Sequence, residues 1–170
     1  MRFSLLDCDI SMSYEMVTQP DPRLRIRSSP VEVSDIGSQR MQQLFEELTE
    51  TMNIEHGVGI AAPQVGIHER VIIVDTGKNV QAFINPEIID RSHRTVNSEE
   101  GCLSVPGVWG IVKRNKTVKV RALDKDGKTV ELDADGLTAI IFQHEIDHLD
   151  GVLFIDRVEK FTSPPLNNRL

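Results

Sequence analysis

Cysteine is scarce: only Cys8 and Cys102 occur in 170 residues, and they form no C-x-x-C pair. A disulfide-stapled scaffold is excluded, and two free thiols are expected. Long apolar runs are missing as well, since none approaches the ~20 residues of a membrane span. Positive charge is not in excess: 19 Lys+Arg stand against 26 Asp+Glu, a formal net charge of −7. That balance disfavours nucleic acid and anionic lipid as partners. The first dozen residues carry a single basic residue, Arg2, and are interrupted by Asp7 and Asp9. No secretory signal is expected, and the cytoplasm is the expected compartment. Repeats and low-complexity tracts are also absent. What remains is 39% hydrophobic and 26% charged residues, enough for one ordinary core. One domain over 1–170 is expected, with 1–15 an irregular extension and 158–170 a short polar tail.

The periodicity predicts an α+β fold. Ser34 is a candidate cap for an N-terminal helix starting at Asp35, in which Met41, Leu44, Phe45, Leu48 and Met52 recur at helical spacing and which ends before Gly57. Arg70–Asp75 reads as a strand. From Val80 to Leu132 the signals are mostly β: short runs flank Pro86, Thr117–Leu123 alternates, and Lys125-Asp126-Gly127-Lys128 turns the chain into Thr129–Leu132. From about Ala134 the period becomes helical. Leu137, Ile140, Ile141, His144 and His148 fall on one face, expected to point to the core, and Gly151 is a plausible stop.

That helix carries His144-Glu145-Ile146-Asp147-His148. Side chains four apart lie about 5–6 Å from each other, so two imidazoles can hold one metal ion. Glu145, one position round, is near enough to carry a proton without coordinating. Two histidines need a third protein ligand, with Cys8, Cys102, His56, His68, His93 or a carboxylate as candidates. Cys102 stands out because Gly101 precedes it, in Glu100-Gly101-Cys102-Leu103-Ser104. The stretch Gly57-Val58-Gly59-Ile60-Ala61-Ala62-Pro63-Gln64 is no dinucleotide fingerprint, because no strand precedes it and Pro63 interrupts the helix start. Its small residues admit a substrate backbone, and Gln64 offers an amide donor to an oxyanion.

Taken together, GVGIAAPQ (57–64), EGCLS (100–104) and QHEIDH (143–148) resemble the three signature motifs of the peptide deformylases, and the resemblance extends from Pro20 to about Arg157. It implies mixed or antiparallel sheets packed around a central helix that carries the histidines. It also implies an enzyme that removes the formyl group from the initiator methionine of nascent chains. Cys102, His144 and His148 would be the metal ligands and Glu145 the acid/base. Gln64 and the Leu103 N–H would form the oxyanion hole, and Val58 and Gly59 would align the substrate as an added strand. Glu100, Leu137, Ile140 and Ile141 fall where the family shapes its methionine pocket. Arg114 would pair with Asp147 behind the ligands. Trp109 occupies a loop position where well-known members carry a substrate-contacting arginine. The family implies one divalent ion, Fe2+ in the cell with Zn2+, Ni2+ or Co2+ as substitutes. Its partners would be N-formyl-methionyl nascent peptides and, transiently, the ribosome, and the chain would act as a monomer. A zinc endopeptidase also bears H-E-x-x-H, but its third ligand lies downstream, and residues 149–170 contain neither His nor Cys. A silent metal-stabilised binding module would need neither Glu145 nor Gln64.

Overall fold

A computed structural model describes residues 14–163. The elements run α1 (Gln39–Ile54), β1 (Gly59–Ala61), β2 (Val71–Asp75), β3 (Val80–Arg91), β4 (Thr95–Cys102), β5 (Val105–Asn115), β6 (Thr117–Leu123), β7 (Thr129–Asp135), α2 (Gly136–Leu149) and β8 (Val158–Phe161), with short 3-10 turns between. The fold is α+β, as expected. Strands pair antiparallel into a five-stranded sheet ordered β1-β2-β3-β6-β7 and a three-stranded sheet ordered β4-β5-β8.

The five-stranded sheet separates two apolar layers. Ile72, Val74 and Phe83 pack with Phe142, Ile146 and Leu149 of α2. Val71, Ile73 and Ile84 pack with Met41, Leu44 and Leu48 of α1. Burial on both faces explains why Val71–Val74 is a continuous apolar run rather than an alternating one. Helix α2 also contacts β5 and so lies between the two sheets, where its histidines meet β4.

Several boundaries depart from the sequence reading. Helix α1 is capped not by Ser34 but by Ser38, whose side chain accepts from the Met41 N–H; Val33–Asp35 forms a separate 3-10 turn. The runs around Pro86 are one strand, with a register shift between Ile84 and Glu87 and Asn85 at φ 50; the irregularity accommodates the proline. Residues 158–161, expected in a polar tail, form β8 on the edge of β5. Trp109 lies within strand β5, not in a loop. Cys8 and residues 1–13 lie outside the described residues. The stop at Gly151 (φ 74) is as expected, its N–H donating to the His148 carbonyl.

Candidate metal and active site

Beside α2 a cleft of about 590 Å³ opens between β1, the edge strand of the large sheet, and the β4–β5 hairpin. Among its lining residues are Val58, Gly59, Gln64, Glu100, Cys102, Leu103, Leu137, Ile140, Ile141, His144 and Glu145. Sequence spacing sent the apolar stripe of α2 to the core, but Leu137 is 63% exposed and Ile140 half-buried, with only Ile141 buried. The stripe faces the cleft. Helical period identifies a shared face but not whether protein or open space lies opposite.

Cys102, His144 and His148 each offer a donor atom, and the three atoms lie within 4.8 Å of one another. The Cys102 Sγ is 3.2 Å from His148 Nε2. Two imidazoles from one helix and a thiolate from the adjoining strand suit a borderline divalent ion. Burial pushes the His148 pKa well down, leaving the ring neutral as a ligand must be. The other candidates are elsewhere: His56 is exposed at the cleft mouth, His93 is exposed on the β3–β4 connection, and His68 lies before β2.

The three candidate ligands are braced from behind. Glu100 Oε2 is 2.9 Å from His144 Nδ1, and Arg114 donates to both Glu100 oxygens at 2.8 and 2.9 Å. Arg114 also donates to Asp147 at 2.6 Å, and Arg157 grips the same carboxylate at 2.7 and 2.8 Å. Burial alone would raise the Glu100 carboxyl, but the hydrogen bonds from Arg114 and His144 hold it down at about 2. Glu100, expected in a methionine pocket, does line the cleft, and both its oxygens are engaged by Arg114 and His144. No motif or spacing marks Arg157, whose side chain reaches the site from beyond the helix.

Glu145 is buried, its Oε2 has no hydrogen-bond partner, and burial pushes its carboxyl up to about 7. The other oxygen explains Gly59: a Cβ on that residue would lie 2.6 Å from Glu145 Oε1 and 2.7 Å from Ile141 Cγ2. Gly59→Ala is therefore expected to displace the carboxylate and lower kcat at unchanged metal content, checked by kinetics beside metal analysis; wild-type kcat would refute the contact. Gln64 is fixed too. Its Oε1 accepts from the Ala61 N–H at 2.8 Å, which turns Nε2 to Ser104 Oγ at 3.2 Å and Cys102 Sγ at 3.6 Å. Ser104 is a partner the sequence reading did not assign.

A helix-borne pair of histidines, a strand-borne cysteine and an unpartnered buried glutamate define a metallohydrolase of the H-E-x-x-H kind. A family model described as polypeptide deformylase matches residues 13–163. Peptide deformylase of Chromobacterium violaceum is 45% identical over 154 residues, 89% of this chain and 90% of that protein. Peptide deformylase 2 of Xanthomonas axonopodis pv. citri is 46% identical over 140 residues, 81% of this chain and 82% of that one. Among solved structures, the class I type b peptide deformylase of Acinetobacter baumannii with Met-Ala-Ser bound superposes with a TM-score of 0.83 at 38% identity, covering 88% of this chain and all of that one (100%). Peptide deformylase of Thermotoga maritima gives 0.82 at 41% identity, covering 86% and 98%. The chain belongs to the polypeptide deformylase family, whose members are metal-dependent.

Proposed function

We propose that this chain removes the N-formyl group from N-formyl-methionyl peptides, releasing formate, with the cleft beside α2 as its active site. The observation that carries the site assignment is the convergence of Cys102, His144 and His148 beside the unpartnered oxygen of Glu145. Those three residues hold one divalent ion, ferrous iron in the cell. When bound, the ion supplies Lewis-acid polarisation of the formyl carbonyl and makes the attacking water more acidic.

The chain's own residues do the rest. Gly59, on the free edge of β1, and Val58 just before it pair with the substrate backbone as an added strand. Leu137, Ile140 and Ile141 receive the methionine side chain, whose thioether bends to fill an irregular slot. The Glu145 carboxylate takes a proton from the attacking water as the oxygen–carbon bond forms. Gln64 Nε2 and the Leu103 N–H donate to the developing oxyanion. Glu145 then returns its proton to the nitrogen as the carbon–nitrogen bond breaks, leaving formate and a free methionyl amine. The enzyme works as a monomer in the cytoplasm, in transient contact with the ribosome where nascent chains emerge.

Metal analysis and formate release in two variants test the ligand set. Cys102→Ala is expected to lose most of its metal and its activity, whereas Cys8→Ala keeps both. Equal metal content in the two would contradict the assignment. Ile140→Arg is expected to raise KM about 10-fold or more, the scale of one buried apolar side chain, with metal unchanged; an unaltered KM would remove Ile140 from the pocket. An endopeptidase would instead cut internal bonds of the same peptides.

A further inference from the structure

We propose that the free edge of β3 at Val80–Phe83 docks an extended, Lys- or Arg-bearing segment of a partner protein as an added strand. Strand β3 spans Val80–Arg91, and its first residues pair with β2, from Val80 opposite Asp75 to Ile84 opposite Val71. Its pairing with β6 begins only at Ile84, opposite Leu123, where β6 ends and the chain turns away. Among the described residues, no strand pairs with Val80–Phe83 on that side, and no loop backbone bonds there either. A row of unpaired N–H and C=O groups is a template for a further strand.

The open edge lines a slot of about 1070 Å³, larger than the 590 Å³ cleft and sharing no lining residue with it. Its walls come from both layers of the fold: Phe45, Glu46 and Glu50 of α1, and Val130, Leu132 and Asp133 of β7. Side chains of a strand alternate sides, so an occupant lying in line with β6 turns successive residues to opposite walls. Phe45, Val130 and Leu132 offer those residues apolar contact.

Charge selects the occupant. The exposed acids of the lining include Glu46, Glu50, Asp126, Asp133 and Asp135, and they outnumber its basic residues, Lys78 and Lys125. Glu131 is already engaged by Lys119 and Arg121 at 3.0 and 2.9 Å, whereas those five acids are in no ion pair among the described residues. Such walls attract a cationic segment and repel an acidic one. A second copy of this chain, at net charge −7, meets like charge there, and so does a nucleic-acid backbone. Docking at β3 leaves the cleft open, so a partner can hold the enzyme while the cleft works.

The probe is the alternating peptide acetyl-Lys-Val-Lys-Val-Lys-Val-amide, titrated by calorimetry into the metal-loaded full chain, with amide hydrogen exchange read on the complex. Saturating peptide is expected to slow exchange at Val80–Phe83 and to leave formate release from formyl-Met-Ala-Ser unchanged. Glu50→Lys and Asp133→Lys should each weaken binding about 5-fold at low salt, and added salt should weaken binding to the wild type. The same peptide with Glu in place of Lys should bind at least about 10-fold more weakly. N-methylation of one alternate set of its residues should abolish binding, and methylation of the other set should not, because only one edge of the peptide faces β3. No binding, equal binding by the Glu peptide, an effect that does not depend on which set is methylated, or protection confined to other segments overturns the docking edge. Competitive inhibition of formate release would place the peptide on β1 instead and overturn it equally.

Discussion

Metal-loaded Glu145→Ala is expected to fold, keep its ion and release formate at least about 10²–10⁴-fold more slowly than the wild type. Glu145 sits one residue from His144 but about 100° round the helix, so it need not coordinate. Its Oε2 has no hydrogen-bond partner and its Oε1 lies against Gly59. Burial lifts its carboxyl to about 7, which suits a group that must both accept and return a proton near neutrality. Alanine does neither, and among the described residues no other buried carboxylate replaces it, since both Glu100 oxygens are occupied. Glu145→Asp should recover little, because it withdraws the carboxylate by one methylene where reach is about 2.6–3.2 Å. Metal content and single-turnover formate release check this together. Near-normal turnover by metal-loaded Glu145→Ala would place the proton carrier elsewhere.

Arg114→Ala is expected to cost about 3–5 kcal/mol of stability, the scale for removing one partner of a buried ion pair. Arg114 and Glu100 are each about 4% exposed, and Asp147 is 14% exposed. Without the guanidinium, Glu100 remains as an uncompensated buried carboxylate touching His144. Arg157→Ala should cost far less, about 0.2–1 kcal/mol, because that side chain is 48% exposed. Thermal melts of the two variants separate the cases; equal losses would mean that burial does not govern the network.

The pH dependence carries the same signature. Glu100 is held below its ordinary 4.5, so its contribution to wild-type stability is fully present at neutral pH. That contribution is lost as pH falls from about 4.5 towards 2.

How much of this was legible in the sequence depends on how local each determinant is. Helix α2 was readable because its period, the H-E-x-x-H spacing and Gly151 all lie within one segment. Strand β6 was readable because alternation in TVKVRAL matches its burial pattern residue by residue. Strand β4 was not. Its buried position is Glu100, a charge that stays inside only because Arg114, distant in sequence, neutralises it. Strand β8 is mostly exposed and takes its form from pairing with β5 alone, so its residues read as a tail. The start of α1 moved from Asp35 to Gln39 because Ser34 and Ser38 are equally good caps on paper, and tertiary packing of Ile36 and Met41 decides between them.

The site was legible as three motifs, but its wiring was not. Spacing pairs His144 with His148, while the bond from His144 to Glu100 and the grip of Arg157 on Asp147 depend on how strands and helix meet. Gly59 is the most instructive residue. A glycine in a small-residue stretch suggests a close backbone approach, but only the geometry shows that the group it makes room for is Glu145.

The cleft beside α2 is expected to hydrolyse a formyl–amine bond with a metal held by Cys102, His144 and His148. Formate release from formyl-Met-Ala-Ser by protein purified anaerobically and analysed for metal puts this to the test. The expected result is about one ion per chain, with formate and Met-Ala-Ser released in equal amounts and activity decaying in air as ferrous ion and thiolate oxidise. Full loading with iron, zinc, nickel or cobalt and no formate from any of them would mean that the cleft does not carry out this hydrolysis.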